Sequence, residues 1–188
     1  MKVHFFGGAD TVTGSMHMVE ANGSRVLRDA GLFQGRRDES RQINENLGFD
    51  VGTVDAVLLS HAHIDHCGNL PTLCAQGYQG PMHATEATTK IAAIMLRDSA
   101  FIQSQDAAYL NQKTNRKGKS PVTPLYTVED AEDAIRLFRG HAYHEERELA
   151  PGIRATAYEA GHILGAELTR FTLTENGRTA TVGFAVDL

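Results

Sequence analysis

Val54-Asp55-Ala56-Val57-Leu58-Leu59-Ser60-His61-Ala62-His63-Ile64-Asp65-His66 is an apolar run that ends in three histidines and a carboxylate within six residues. The run has the length and composition of a buried strand. Side chains alternate with a period of two along a strand, so His61 and His63 leave its end on the same side. Asp65 and His66 fall where the chain turns into a helix and can face a second ion beside the first. The spacing therefore predicts a metal site at the end of a strand.

A hydrolytic zinc site needs three protein ligands and an open position for water, whose pKa the metal lowers to about 7. His61 and His63 supply two of the three. His162, in Glu159-Ala160-Gly161-His162-Ile163-Leu164-Gly165-Ala166, is the best third, because it sits between two predicted strands and its glycines let the backbone close on an ion. Asp187 follows an apolar strand and can place a carboxylate between two ions about 3.5–4 Å apart. Asp29, two residues before Gly31, either fixes the tautomer of a ligand histidine by a hydrogen bond or is a turn residue.

The remaining histidines read differently. His4 and His17 lie in predicted strands as core or sheet-face residues. His83, at the approach to a helix, and His141 and His144, in a polar stretch over 139–148, read as surface or structural. Cys67 and Cys74 lie seven apart in a segment that reads as helical, which predicts two small buried side chains on one face. There is no Gly-x-Ser-x-Gly elbow, and neither cysteine sits in a nucleophile motif.

The 188 residues, 41% of them apolar and 22% charged, suit one globular domain or slightly more. A chain of this size buries roughly 70% of its unfolded surface, so a metal here is functional rather than needed for folding. No stretch approaches the ~20 apolar residues of a membrane span, and Met1-Lys2-Val3-His4-Phe5-Phe6-Gly7 is too soon broken by glycine for a signal peptide. The expectation is a cytoplasmic protein with no membrane partner. A formal net charge of -5 argues against holding nucleic acid by overall charge. Lys113, Arg116, Lys117 and Lys119 form a local exception, read as a solvated loop rather than a phosphate-contacting patch.

Strands are predicted over 2–6, 15–20 and 25–29, with Asn22-Gly23 as a hairpin turn between the last two. The glycine- and threonine-rich segment 7–15 lacks the Gly-Lys-Ser/Thr ending of a phosphate loop and reads as a loop at the rim of the site. Helices are predicted over 41–47, 69–76, 85–97, 103–112 and 128–138. Strands return over 142–144, 153–159, 167–174 and 179–185, with Glu175-Asn176-Gly177 as a tight turn. Two strand-rich blocks flanking helices predict an α/β fold, two sheets face to face with helices outside.

These residues resemble the metallo-β-lactamase fold, and more narrowly its RNA-processing β-CASP branch, the group of the endonuclease subunit of the cleavage and polyadenylation factor. The likeness spans nearly the whole chain. It rests on Val12-Thr13-Gly14-Ser15, Asp29-Ala30-Gly31, the histidine motif extended through Cys67-Gly68-Asn69-Leu70-Pro71, the segment Met95-Leu96-Arg97-Asp98-Ser99-Ala100, and Ala160-Gly161-His162-Ile163-Leu164-Gly165-Ala166. The resemblance implies an αββα sandwich of which residues 1–188 form the N-terminal portion, without the inserted β-CASP domain. It implies that His61, His63 and His162 bind one zinc, that Asp65 and His66 bind a second, and that Asp187 bridges them, with Asp65 also catalytic. The implied reaction is hydrolysis of an RNA phosphodiester by metal-bound hydroxide, with RNA as substrate; a homodimer stays open as the assembly.

Three features depart from the family pattern. Ala185 and Val186 precede Asp187 where the branch has serine or threonine and then glycine, and Arg28 stands before Asp29 where an apolar residue is usual. The chain also stops at Leu188, so the implied last histidine of the second metal site is not in it, and the expectation is a fragment or a truncated product that holds one zinc and cleaves poorly. Two alternatives remain open at this level. One is a hydrolase of the same fold acting on a small ester, thioester or lactone, and the other is an inactive interaction module.

Overall fold

The computed structural model describes residues 1–113 and 121–188. Among these residues ten strands form two sheets. The first sheet holds β1 (Lys2–Gly7), β2 (Met16–Ala21), β3 (Ser24–Arg28), β4 (Ala56–Leu58), β5 (Met82–Thr85) and β6 (Phe138–His141) in that spatial order. The first three strands pair antiparallel and the last three join in parallel. The second sheet is wholly antiparallel, in the order β10 (Arg178–Phe184), β9 (Glu167–Glu175), β8 (Ile153–Glu159), β7 (Glu146–Ala150). Two-residue turns close the hairpins as predicted, with Asn22 and Gly23 at φ 54° and 79° and Asn176 and Gly177 at 51° and 72°, both residues in the left-handed region that such turns require.

The period of two along β4 divides the core. Val57 and Leu59 face α3 (Leu70–Ala75), α4 (Glu86–Lys113) and α5 (Val128–Leu137), where Leu70, Leu73, Ala92, Leu96 and Ala131 are fully buried. Ala56 and Leu58 point the other way and pack with Val19 and Val26 against Ile153, Ala155, Phe171 and Leu173 of the second sheet. A strand buried on both faces reads as a continuous apolar run, which is why 54–60 is legible in sequence. Helices thus cover the outer face of the first sheet, and its inner face lies on the second sheet, the expected layering.

Several expected elements differ. The predicted strand over 142–144 is a turn, with His144 at φ 64°. Strands β6 and β7 lie on either side of it. β6 is only Phe-Arg-Gly-His, too short and polar to read as a strand, and exists because it pairs in parallel with β5. His83, expected to approach a helix, lies in β5. The two helices predicted over 85–97 and 103–112 are one helix of 28 residues, α4, since no glycine or proline interrupts 86–113. Cys67 and Cys74 do not share a helix: Cys67 is buried in the short α2 (Ile64–Cys67) and Cys74 is half-buried in α3. The helix predicted over 41–47 is α1 (Arg37–Glu45). Of the basic cluster, Lys113 ends α4, and Arg116, Lys117 and Lys119 lie outside the described residues. No helix among the described residues is long and apolar enough to cross a membrane.

Candidate metal centre

The site forms where β4 runs out. Leu59 N–H still donates to His83 O in the neighbouring strand (2.8 Å), which fixes Ser60 and His61 at the sheet edge. His63 follows as the N-terminal flanking residue of α2, and His66 lies inside that helix. The segment after Asp29 runs beside α2 and holds it. Ala30 N–H donates to His66 O and Leu32 N–H to Ile64 O, at 2.9 and 3.0 Å. Gly31 is required there, because a Cβ at that position would stand 1.6 Å from Asp65 O.

His162 arrives from the loop between β8 and β9. Gly161 and Gly165 have φ of 76° and 87°, and Gly165 O accepts from both Thr85 Oγ1 (2.7 Å) and Thr88 Oγ1 (2.9 Å). Glu167 N–H donates to Ser60 O at 3.0 Å, which ties this loop to the end of β4. As a result His61, His63, His162 and Asp187 each bring a ligand atom within 4.8 Å of the others. Asp187 Oδ2 stands 3.7 Å from His61 Nε2, 3.6 Å from His66 Nε2 and 3.6 Å from His162 Nε2. Asp65 Oδ2 lies 3.9 Å from His66 Nε2. The six residues that sequence spacing singled out therefore gather at one end of the sandwich.

Protons decide whether this cluster suits a cation. Asp29, fully buried, accepts from Ser60 N–H (2.6 Å) and Arg28 Nη1 (2.6 Å) at Oδ1, and from Ser60 Oγ (2.8 Å) and His66 Nδ1 (2.9 Å) at Oδ2. A carboxylate can only accept, so His66 carries a proton on Nδ1 and turns Nε2 toward Asp65 and Asp187. Ser60 Oγ spends its one proton on Asp29, so His61 Nδ1, 2.9 Å away, donates to it, and the neutral His61 ring leaves Nε2 bare. His63 Nδ1 meets both His61 Nε2 and His162 Nε2 at 3.1 Å. At most one of those contacts can be an ordinary hydrogen bond, whereas a cation among the three nitrogens satisfies all of them. Three imidazoles with an adjacent carboxylate are a donor set that fits a borderline-soft divalent metal.

The rings of His61 and His66 titrate in opposite directions: burial alone would lower His66, but the Asp29 hydrogen bond and the carboxylates of Asp29, Asp65 and Asp187 raise it. Burial, then the neighbouring His66, pushes His61 down to about 4, so its ring is neutral near pH 7, as ligation demands. Burial alone would raise the Asp29 carboxyl, but Arg28, the His66 hydrogen bond and the Ser60 N–H hold it far below the usual carboxylate range. Asp29 itself has φ 61°, a strained conformation for a non-glycine residue and one that recurs at functional sites.

Sequence reasoning missed Ser60, Arg28 and the pair Glu167 and His141. Ser60 stands directly before His61 and its hydroxyl was the available signal. Arg28, the last residue of β3, and Glu167, the first of β9, are buried charges, each held by a partner. His141, read as surface or structural, is buried with Nε2 2.7 Å from Glu167 Oε2, and His17, read as a core or sheet-face residue of a strand, is buried in β2.

The family description Metallo-beta-lactamase superfamily matches residues 9–148. Ribonuclease TTHA0252 of Thermus thermophilus is 36% identical over all of this chain, which spans 38% of that protein. Endoribonuclease YSH1 of Saccharomyces cerevisiae is 31% identical over 89% of this chain and 20% of its own length. Transcription termination factor FttA of Methanocaldococcus jannaschii is 30% identical over 93% of this chain and 25% of its own length. The chain thus spans well under half the length of these relatives. Among solved structures, the subclass B3 metallo-beta-lactamase MEM-A1 from a soil metagenome library superposes with a TM-score of 0.56 at 21% identity, covering 97% of this chain and 59% of that one. The fold, the matched region and these relatives lead to one assignment: the chain belongs to the metallo-β-lactamase superfamily.

Proposed function

We propose that this chain carries the metal-binding part of a zinc-dependent ribonuclease of the β-CASP type, which hydrolyses RNA phosphodiesters. The observation that supports it best is the convergence of His61, His63, His162 and Asp187 within 4.8 Å at an open end of the sandwich, in a chain with relatives named ribonuclease and endoribonuclease. The residues fit zinc through their three imidazole nitrogens. When bound, the metal supplies positive charge for the phosphoryl oxygens and a lowered pKa for water.

In this reading His61, His63 and His162 hold one ion, Asp65 and His66 serve a second, and Asp187 lies between them. Asp29 orients His66 and, through Ser60, His61, so that both turn Nε2 toward the opening. Asp65, half-buried beside His66 Nε2, is assigned both a ligand role and the handling of a proton at its carboxylate.

The test is single-stranded RNA cleavage by the zinc-loaded chain and by His63→Ala, together with hydrolysis of a small thioester and a lactone. RNA cleavage that His63→Ala abolishes supports the proposal. Cleavage of the small esters without RNA cleavage, at equal metal loading, overturns it in favour of a small-molecule hydrolase, and a chain that binds no zinc, or binds it as tightly after His63→Ala, overturns it in favour of a binding module.

A further inference from the structure

The loop between β8 and β9, residues 160–166, carries His162. Its tip is open to solvent, with Leu164 75% exposed, while Gly165, Ala166 and Glu167 are buried. Inside the loop, Ala166 N–H donates to Ile163 O and Ala160 N–H to Ala166 O, at 2.9 and 3.1 Å. Those bonds shape the loop but tie it to no other element, so the place of His162 depends on where the C-terminal foot of the loop meets the first sheet.

Two strand ends grip that foot. Thr85 and His141, the last residues of β5 and β6, are partners in the parallel ladder. Thr85 Oγ1 donates to Gly165 O, and His141 Nε2 stands 2.7 Å from Glu167 Oε2. Tyr143, just beyond β6, donates its hydroxyl to Ala166 O at 3.0 Å. Residues 165, 166 and 167 are thus each held from the β5–β6 side.

The side chains of His141 and Glu167 are both 1% exposed. A buried polar pair is a weak source of stability, since apolar groups of similar volume in both places are often neutral or better. His141 adds a penalty, because its Nδ1 is buried without a hydrogen-bond partner. Apolar side chains could fill the same space, but they would not fix the foot of the loop at one distance and angle. A metal-ligand constellation has to be held within about 0.5 Å, and His162 Nε2 meets His63 Nδ1 at 3.1 Å from the far side of this loop.

We infer that His141 and Glu167 are positioning residues for the metal centre: their bond fixes the foot of the 160–166 loop to the end of the β5–β6 ladder and so holds His162 against His63. Both act through the loop backbone rather than on the ion. The inference rests on the zinc-centre part of the reading above and not on RNA as the substrate.

Zinc affinity, from competition against a chromophoric chelator, is measured for the parent, for His141→Leu combined with Glu167→Leu, for Glu167→Gln, and for the same changes in a His162→Ala background. The leucine pair fills the space without the bond and should weaken zinc binding about 10- to 100-fold. Glu167→Gln can donate to His141 Nε2 and accept from Thr169 Oγ1, so it should bind zinc as the parent does. Once His162 is gone the loop has no ligand to place, and in that background the leucine pair should cost no further affinity. Glu167→Asp draws the carboxyl back by one methylene while keeping its charge; it should behave as the leucine pair does, and it carries the same comparison if that pair does not fold. Parental affinity in these bond-breaking variants, a Glu167→Gln as weak as they are, or an equal loss with and without His162 each overturns the inference and leaves the ribonuclease reading standing. A parent chain that binds no zinc overturns both.

Discussion

Arg28 Nη1 and Asp29 Oδ1 are 2.6 Å apart, and neither side chain is accessible to solvent. Neighbouring residues of a strand normally point to opposite faces; here β3 ends at Arg28, and the positive φ of Asp29 turns its carboxylate back onto the guanidinium. The pair lies directly behind the metal centre, with Asp29 gripping Ser60 and His66 and Arg28 reaching Glu167 O at 3.4 Å. It joins the strand that carries the histidine motif to the strand that follows His162.

Arg28→Met should leave a buried carboxylate without its counter-charge. Removing one partner of a buried ion pair costs about 3–5 kcal/mol, so urea unfolding of the metal-free chain should show a loss of that size. A variant as stable as the parent would mean that the donors from Ser60 and His66 suffice for Asp29 on their own.

Zinc affinity should separate residues that touch the ion from those that orient them. Loss of an orienting hydrogen bond typically costs about 10- to 100-fold in metal affinity, which is the expectation for Asp29→Asn. His63→Ala and His162→Ala, which remove donors outright, should cost more than that. His83→Ala, in β5 and outside the cluster, should leave affinity as it was. Competition against a chromophoric chelator ranks all four, and equal loss for His83→Ala would mean that the measured ion binds elsewhere.

Gly31→Ala tests how the α2 histidine is held. A Cβ 1.6 Å from Asp65 O and 2.8 Å from Ser15 N forces apart the segment that hydrogen-bonds to Ile64 and His66. Overpacking of this kind costs about 1–3 kcal/mol or more, and zinc affinity should fall with it. Thermal unfolding with and without zinc reads both effects; a variant with parental melting temperature and affinity would show that the loop shifts without disturbing α2.

The parts legible in sequence are those encoded locally. His61, His63, Asp65 and His66 lie within six residues of a strand end, and β8 is bounded by its own alternation, so neither needs knowledge of distant contacts. Strands β5 and β6 are different: four residues each, they owe their conformation to parallel pairing across long insertions. The bond from Asp29 to His66 spans 37 positions, so sequence could name Asp29 as a candidate orienter yet could not select it over a turn. Phe101 and Ile102 interrupted the apolar stripe of α4 because they are exposed there, and one helix read as two.

Glu167 gives the pH dependence. Burial, only partly offset by Arg28 and the Thr169 hydrogen bond, raises its carboxyl to about 7. In the protonated form Oε2–H donates to His141 Nε2 while Oε1 accepts from Thr169 Oγ1 at 2.8 Å. A carboxyl whose folded pKa is raised contributes stability that is complete below its unfolded value near 4.5 and is lost as pH rises through 7. His61 runs the other way, since its lowered pKa adds stability as pH climbs from about 4 to 6.5, and the parent curve alone would mix the two. The difference between the metal-free parent and Glu167→Gln isolates the carboxyl, because both carry the same histidines. Urea unfolding between pH 4.5 and 7 should show the parent losing stability relative to the variant, by at most about 1.4 kcal/mol per pH unit for one proton. A difference that stays flat across that range would mean that Glu167 ionises as freely in the folded chain as in the unfolded one, and that its contact with His141 is an ion pair rather than a neutral hydrogen bond.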